Sequence, residues 1–255
     1  MEKNNSFIFG LISGVAVVST VVLIGLVIYM LTGGRSACFA SGSTGSTTKA
    51  AKKFEECLSA KKYESRVTTD QNLGIQLGVN GTPASFINGY FVSGAQQYAT
   101  VKSLIDALLA GKEITNEAFP TLRQADPADP ENEAKAKIIK VEMPQITADD
   151  HQTGAKNGKI TIIEFSDFEC PYCSRYKTTI DQVLQEYPND VTLVFKNFPL
   201  PASMHPNALN GALAAECAND QGKYWEMYDK LFTLNGNGVF NLDNIKKAAL
   251  EIGLK

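Results

Sequence analysis

The chain has 255 residues, 44% of them hydrophobic and 20% charged, which is the make-up of a globular protein with a core and leaves room for one or two domains. Its formal net charge of −3 requires no basic face, which argues against a nucleic-acid partner held by phosphate neutralisation.

Phe7 to Leu31 runs without a charged residue. At about 1.5 Å per residue, a helix of that length crosses a hydrocarbon core of about 30 Å. Secretory signals carry shorter apolar stretches, so the run predicts a retained transmembrane helix within an N-terminal anchor, residues 1–37. Lys3 and Arg35 flank it evenly, and orientation rests on two other points. Short N-termini commonly stay in the cytoplasm, and the cysteines downstream call for an oxidising compartment. Gly10 and Gly14 are small residues of the anchor, and Cys38 reads as an unpaired or intermolecular thiol. Residues 38–50, including SGSTGSTT, form a flexible tether.

A first folded segment spans 51–111. Lys52–Leu58 and Ser65–Leu77 have helical patterns. Ala84–Ile87 and Tyr90–Val92 read as strands joined at Asn88-Gly89, a strong hairpin signal. The helix Thr100–Leu109 places Val101, Leu104, Ile105 and Leu108 on one stripe, with Gly111 just past its end. Residues 112–145 are a linker, with Pro127 and Pro130 in acidic surroundings. The second folded segment spans 146–255. It opens on a buried strand, Lys159–Phe165, followed by a helix starting near Cys170 and a strand, Val191–Phe195. Helices cover His205–Asp220, Gly222–Leu231 and Leu242–Ile252.

The chemistry concentrates at Cys170-Pro171-Tyr172-Cys173. Two cysteines on a helix's first turn come within bonding reach of each other. The first sits where free N–H groups and the helix dipole favour a thiolate. Pro171 suits the first helical turn, which needs no N–H from it. A zinc site would want a second cysteine pair, and Cys38, Cys57 and Cys217 stand singly. Glu164, in the apolar run before Cys170, is either a buried acid able to exchange a proton with Cys173 or a strand-end acid turned to solvent. Thr82-Pro83 precedes a strand. A cis bond there would offer the Thr82 backbone to an extended substrate, whereas a trans proline would simply start the strand. Cys57 and Cys217, each on a helical pattern, form either a structural bridge or two buried thiols.

KITIIEFSDFECPYC (159–173) resembles the active-site strand and helix of the DsbA-like thioredoxin family. FPLPASMHPNALNGALAAECA (198–218) and QGKYWEMYDKLF (221–232) resemble the helical insertion of its bacterial members. GVNGTPASFINGYFVSG (78–94) is similar to its cis-proline loop and hairpin. The resemblance implies an α/β thioredoxin-like fold with a helical insertion. It also implies Cys170 as attacking cysteine, Cys173 as resolving cysteine, Glu164 as buried acid and Pro83 as cis-proline beside Thr82. Cys57 and Cys217 match a structural disulfide of some members, and no cofactor is implied.

The order departs from the family. The cis-proline half (51–111) precedes the dithiol half (146–255), so the fold is expected to be circularly permuted. Closure within one chain is the expectation, with a swapped dimer as the alternative. The resulting expectation is an oxidase on the outer face of a bacterial cell membrane, acting on unfolded or reduced exported proteins and reoxidised by a membrane redox partner. The alternatives are a disulfide reductase or isomerase, and a metallochaperone for copper or another soft metal.

Overall fold

The asparagine–glycine turn sets the register of a sheet that carries the candidate site. A computed structural model of the chain describes residues 53–124 and 137–254. The anchor at 7–31, the tether, Gly10, Gly14, Cys38 and the acidic proline pair at 127 and 130 lie outside the described residues. Among the described residues, no helix is long and apolar enough to cross a membrane.

Residues 53–59 are helical. Helix α1 follows at Glu64–Gln76, then β1 (Ala84–Ile87), β2 (Tyr90–Ser93) and α2 (Tyr98–Leu109). Short strands β3 (Arg123–Gln124) and β4 (Lys137–Ile138) make a small two-stranded sheet. The remainder is β5 (His151–Gly154), β6 (Ile160–Ser166), α3 (Pro171–Glu186), β7 (Val191–Asn197), α4 (Ala208–Asn219), α5 (Tyr224–Gly236) and α6 (Leu242–Glu251). The main sheet has the order β2-β1-β6-β7-β5, with β6 and β7 parallel and the other pairs antiparallel. This is a thioredoxin-like α/β arrangement in which the β1–β2 hairpin comes before the central strand it pairs with.

Each local feature has a physical reason. Asn88 (φ 46°) and Gly89 (φ 88°) both take the left-handed backbone that a tight two-residue hairpin demands. A Cβ at Gly89 would also strike the Val141 carbonyl oxygen. Strand β7 is buried along its whole length, and β6 is buried at every position but Thr161, as expected of a parallel pair covered on both faces. Side chains alternate between those faces. Ile87, Ile160, Ile162 and Leu193 meet Tyr176 and Ile180 of α3 and Leu104 and Ile105 of α2. Ala84, Phe86, Ile163, Phe165 and Val194 pack together with Phe198 on the opposite face. Burying one such aliphatic or aromatic side chain contributes roughly 1.5–3 kcal/mol. Gly74 lets α1 approach that second layer, because a Cβ there would lie 2.8 Å from the Phe198 ring and 2.9 Å from the Phe165 ring. Helices α4, α5 and α6 form a third cluster with Phe168, Phe195 and both cysteines of the CPYC motif.

Two elements depart from the sequence-based expectation. The connecting segment is not bare chain. Leu122 is fully buried, and the Phe91 and Val141 amides donate to the Ile139 and Gly89 carbonyls at 2.9 Å each. Residues 139–141 thereby cover the outer edge of β2, which would otherwise be open to pairing with another chain. Strand β5 reads His-Gln-Thr-Gly, too polar to signal a strand, and it forms by pairing with β7.

The two folded segments are joined by charge as well as by the sheet. Lys196 of β7 reaches Asp70 of α1 at 3.0 Å and Asp150 at 2.5 Å. Arg66 of α1 and His151 of β5 both reach Glu216 of α4 at 3.0 Å. Burial pushes the Asp70 carboxyl up, and Lys196 only partly offsets it. At Asp150 burial acts the same way, but Lys196 and the Thr147 N–H outweigh it and hold the carboxyl below its ordinary value. Lys196→Met keeps the stem and removes the cation that Asp70 and Asp150 share. The expected cost is about 3–5 kcal/mol in urea unfolding; a loss below about 1 kcal/mol would show that the carboxylates find other partners.

Candidate active site

Strand β6 ends at Ser166, and three residues turn the chain into α3. That turn is tied down from several sides. Asp167 accepts from the Glu169 amide at 2.8 Å and the Leu200 amide at 2.9 Å, and it bonds His205 Nδ1 at 2.7 Å. Glu169 accepts from the Asn207 amide at 2.6 Å. The Asn235 side chain, from α5, donates to the Phe168 and Cys170 carbonyls at 2.8 Å each. Cys170 is the N-cap of α3 in extended conformation, with Pro171 as the first helical residue.

Both sulfurs are free thiols here. Cys170 keeps 3% of its surface exposed and Cys173 none. The Cys170 thiol donates to the Thr82 carbonyl at 3.5 Å, which brings the loop of the first segment against the dithiol of the second. The Thr82–Pro83 bond is cis.

The two sulfurs titrate in opposite directions. A hydrogen bond from the Cys173 thiol holds Cys170 down to about 6 against the opposing effect of burial. The N–H groups of Cys173 and Tyr172 at the helix start work in the same direction, as does the Thr82 hydroxyl. In the dithiol form the uncharged sulfur caps neither N–H, and the buried Thr82 hydroxyl has no other partner, so these donors await the thiolate. Burial pushes Cys173 well up, and the bond it gives to Cys170 adds to that; the Asp167 amide, 3.5 Å away, pulls weakly the other way. The pair therefore shares its protons unequally, with charge on Cys170 and the proton on Cys173. Tyr172 is 57% exposed at the mouth of the site, its ring under the Arg175 guanidinium at 4.8 Å.

Glu164 is fully buried, not turned to solvent. It lies opposite Ser85 in the β1–β6 register, on the sheet face that α3 covers. Burial pushes its carboxyl up to about 7, and neither oxygen has a hydrogen-bond partner. The arrangement sets an acid that titrates near neutrality behind an unequal thiol pair, which is a chemistry for moving protons as a disulfide opens and closes.

The structure thus brings Cys170, Pro171, Tyr172, Cys173 and Thr82-Pro83 to one place, with Glu164 beneath. Cys57 and Cys217 lie apart, in the helical part, where they form a disulfide across 160 residues of sequence. Sequence reasoning missed Asn235, which pins the motif's backbone, and the buried hydroxyls of Ser85, Ser166 and Tyr176. Only Ser166 had a sequence signal, being two residues from Glu164 on the same strand face.

Two family descriptions match the chain. Residues 147–253 match the thioredoxin family, and residues 46–106 match the DSBA-like thioredoxin domain. Na(+)/H(+) antiporter NhaA 1 of Mycolicibacterium gilvum is 43% identical over 84 residues, covering 33% of this chain and 14% of that protein. Na(+)/H(+) antiporter NhaA 1 of Salinispora arenicola is 37% identical over 99 residues, covering 39% of this chain and 15% of that protein. The matches reach only these 14% and 15% shares of the two relatives' length. A crystal structure of a periplasmic thioredoxin-like protein from Salmonella enterica serovar Typhimurium is similar at 28% identity and TM-score 0.35, covering 42% of this chain and 59% of that one.

Proposed function

We propose that this chain, which belongs to the DsbA-like thioredoxin-fold family, is a membrane-anchored oxidase that passes the Cys170–Cys173 disulfide to exported proteins. Thiol–disulfide oxidoreduction is the general activity of the site, and the direction is the finer claim. It rests chiefly on one feature of the site: Cys170 caps the start of α3, where the Cys173 thiol and the helix-start N–H groups favour its thiolate. A stabilised thiolate favours the reduced form, and a protein that prefers to be reduced is a stronger oxidant. In turnover, a substrate thiolate attacks Cys170 Sγ and Cys173 leaves as a thiolate that takes up a proton. A second substrate thiolate then attacks the substrate sulfur of that mixed disulfide, forming the substrate disulfide and releasing Cys170 as thiolate. Reoxidation requires a membrane disulfide or quinone-linked partner.

The test is equilibration with glutathione buffers, followed by oxidative refolding of a reduced secreted protein. An oxidase should show a potential above about −200 mV and speed the refolding, whereas a potential near about −270 mV would place the protein with reductases.

The uncharged run 7–31 supports an anchor, with the catalytic part outside the cytoplasm. Deleting residues 1–37 should release the protein from the membrane fraction, and retention after deletion would count against the anchor. The hairpin ahead of its partner strand supports a circularly permuted order closed within one chain. Light scattering on the full chain in detergent should find monomers; a dimer that exchanges segments would replace that reading.

A further inference from the structure

Four side chains under α3 carry five buried polar atoms that make no short, well-aligned hydrogen bond: Ser85 Oγ, both Glu164 oxygens, Ser166 Oγ and Tyr176 Oη. Buried orphans are uncommon because each forfeits its bonds to water, and five in one place need a reason. Their positions supply one. Ser85 and Glu164 are register partners on adjacent strands, so their side chains leave the same face side by side. Ser166 is two residues along from Glu164 on that face. Tyr176 is one turn beyond Cys173 on α3, and both are fully enclosed. Hydroxyl protons rotate freely, so such a group can redirect its donors as charge moves. The electrostatics agree with the placement. The Ser166 hydroxyl lowers the pKa of both Glu164 and Cys173, and the Ser85 hydroxyl acts on Tyr176, whose phenol in turn feels the Glu164 charge.

We propose that the Ser166 hydroxyl bridges the Cys173 sulfur and the Glu164 carboxyl, donating its one proton to whichever of the two is charged, while Tyr176, steadied by Ser85, positions the carboxyl from its other side. The proposal rests on the oxidoreductase reading and deepens it. When Cys173 leaves the disulfide as a thiolate, the Ser166 hydroxyl proton passes to the sulfur and the Glu164 proton replaces it on Ser166 Oγ, so charge passes from sulfur to carboxylate. Tyr176 then donates to that carboxylate. In the reverse step Cys173 gives its proton to Glu164 and attacks Cys170 Sγ, breaking the Cys170–substrate bond and releasing substrate thiolate. The other groups acting on Glu164 are few: Asp181 and Lys177 farther along α3, and the phenols of Tyr224 and Tyr228 on α5, which feel its charge.

Tyr176→Phe and Ser166→Ala remove one hydroxyl each without changing shape, so folding should survive. The first readout is the Glu164 carboxyl, followed by carbon-13 NMR against pH in the full reduced protein. Each variant should raise its titration midpoint by about one pH unit, since the carboxylate loses a donor. The second is the rate at which Cys173 displaces glutathione from a preformed Cys170 mixed disulfide at pH 7. Ser166→Ala should slow it about tenfold with the Cys170 thiolate titration unmoved. A Glu164 midpoint unmoved in either variant, or an unslowed displacement in Ser166→Ala, overturns the proposal. If the unsubstituted protein forms no mixed disulfide at Cys170, the oxidoreductase reading falls instead, and the carboxyl titration still judges the hydroxyls by themselves.

Discussion

Cys170→Ser is expected to reduce thiol–disulfide exchange to the level seen without protein. A hydroxyl at the start of α3 forms no disulfide and supplies no thiolate. The reason lies in the protonation of the pair. With Cys170 held to about 6 by the Cys173 thiol and the helix-start N–H groups, about nine sulfurs in ten are charged at pH 7. A thiol left at its ordinary value near 9 would be about 1% charged. Absorbance of the thiolate against pH should give a midpoint near 6. Below that midpoint the rate of attack by Cys170 should fall about tenfold per pH unit. A midpoint above about 8 would mean that the helix start does not act on this sulfur.

Glu164→Gln is expected to stabilise the reduced protein at high pH, an effect opposite to most substitutions of a buried group. The folded protein raises the carboxyl from 4.5 to about 7 through burial. Between those two values the folded state keeps a proton that the unfolded state has released. Stability therefore falls as pH rises through that window and is lowest above 7. The size is about 3 kcal/mol, taking roughly 1.4 kcal/mol per unit of pKa difference. Glutamine carries no such charge, so the variant should match the original near pH 4 and exceed it by about that amount at pH 8. Urea unfolding at the two pH values measures this, and equal stability at pH 8 would mean that Glu164 is ionised and well solvated. On the proposed proton transfer, the same substitution should also slow exchange, since glutamine cannot take up and return the Cys173 proton.

Much of this was legible from local pattern. The Asn88-Gly89 pair placed a hairpin whose strands are β1 and β2, and an apolar strand running into Cys170-Pro171 placed the strand–helix junction. Helix ends were looser. The pattern from His205 becomes helix only at Ala208, because residues 199–207 serve as the clamp that Asp167 and Glu169 hold. Other features were hidden because they exist only through distant pairing. Strand β5 owes its form to β7, and a lysine closing the run VTLVFK gives no hint that it is buried between Asp70 and Asp150. Ser85 lies opposite Glu164 through a strand register, and Tyr176 is buried in the cluster where α3 packs on the sheet; no short-range spacing encodes either. The buried state of Glu164 and the Cys57–Cys217 bridge were open alternatives in the sequence, and tertiary contacts decide both.

In the proposed exchange Cys170 attacks and Cys173 resolves. Cys173→Ser separates the two roles, by reaction of the reduced variant with oxidised glutathione and peptide mapping by mass spectrometry. The expected result is a glutathione adduct on Cys170 that persists in the variant and is released in the unsubstituted protein as the Cys170–Cys173 disulfide forms. No adduct on Cys170, or one that persists equally with Cys173 in place, would contradict it.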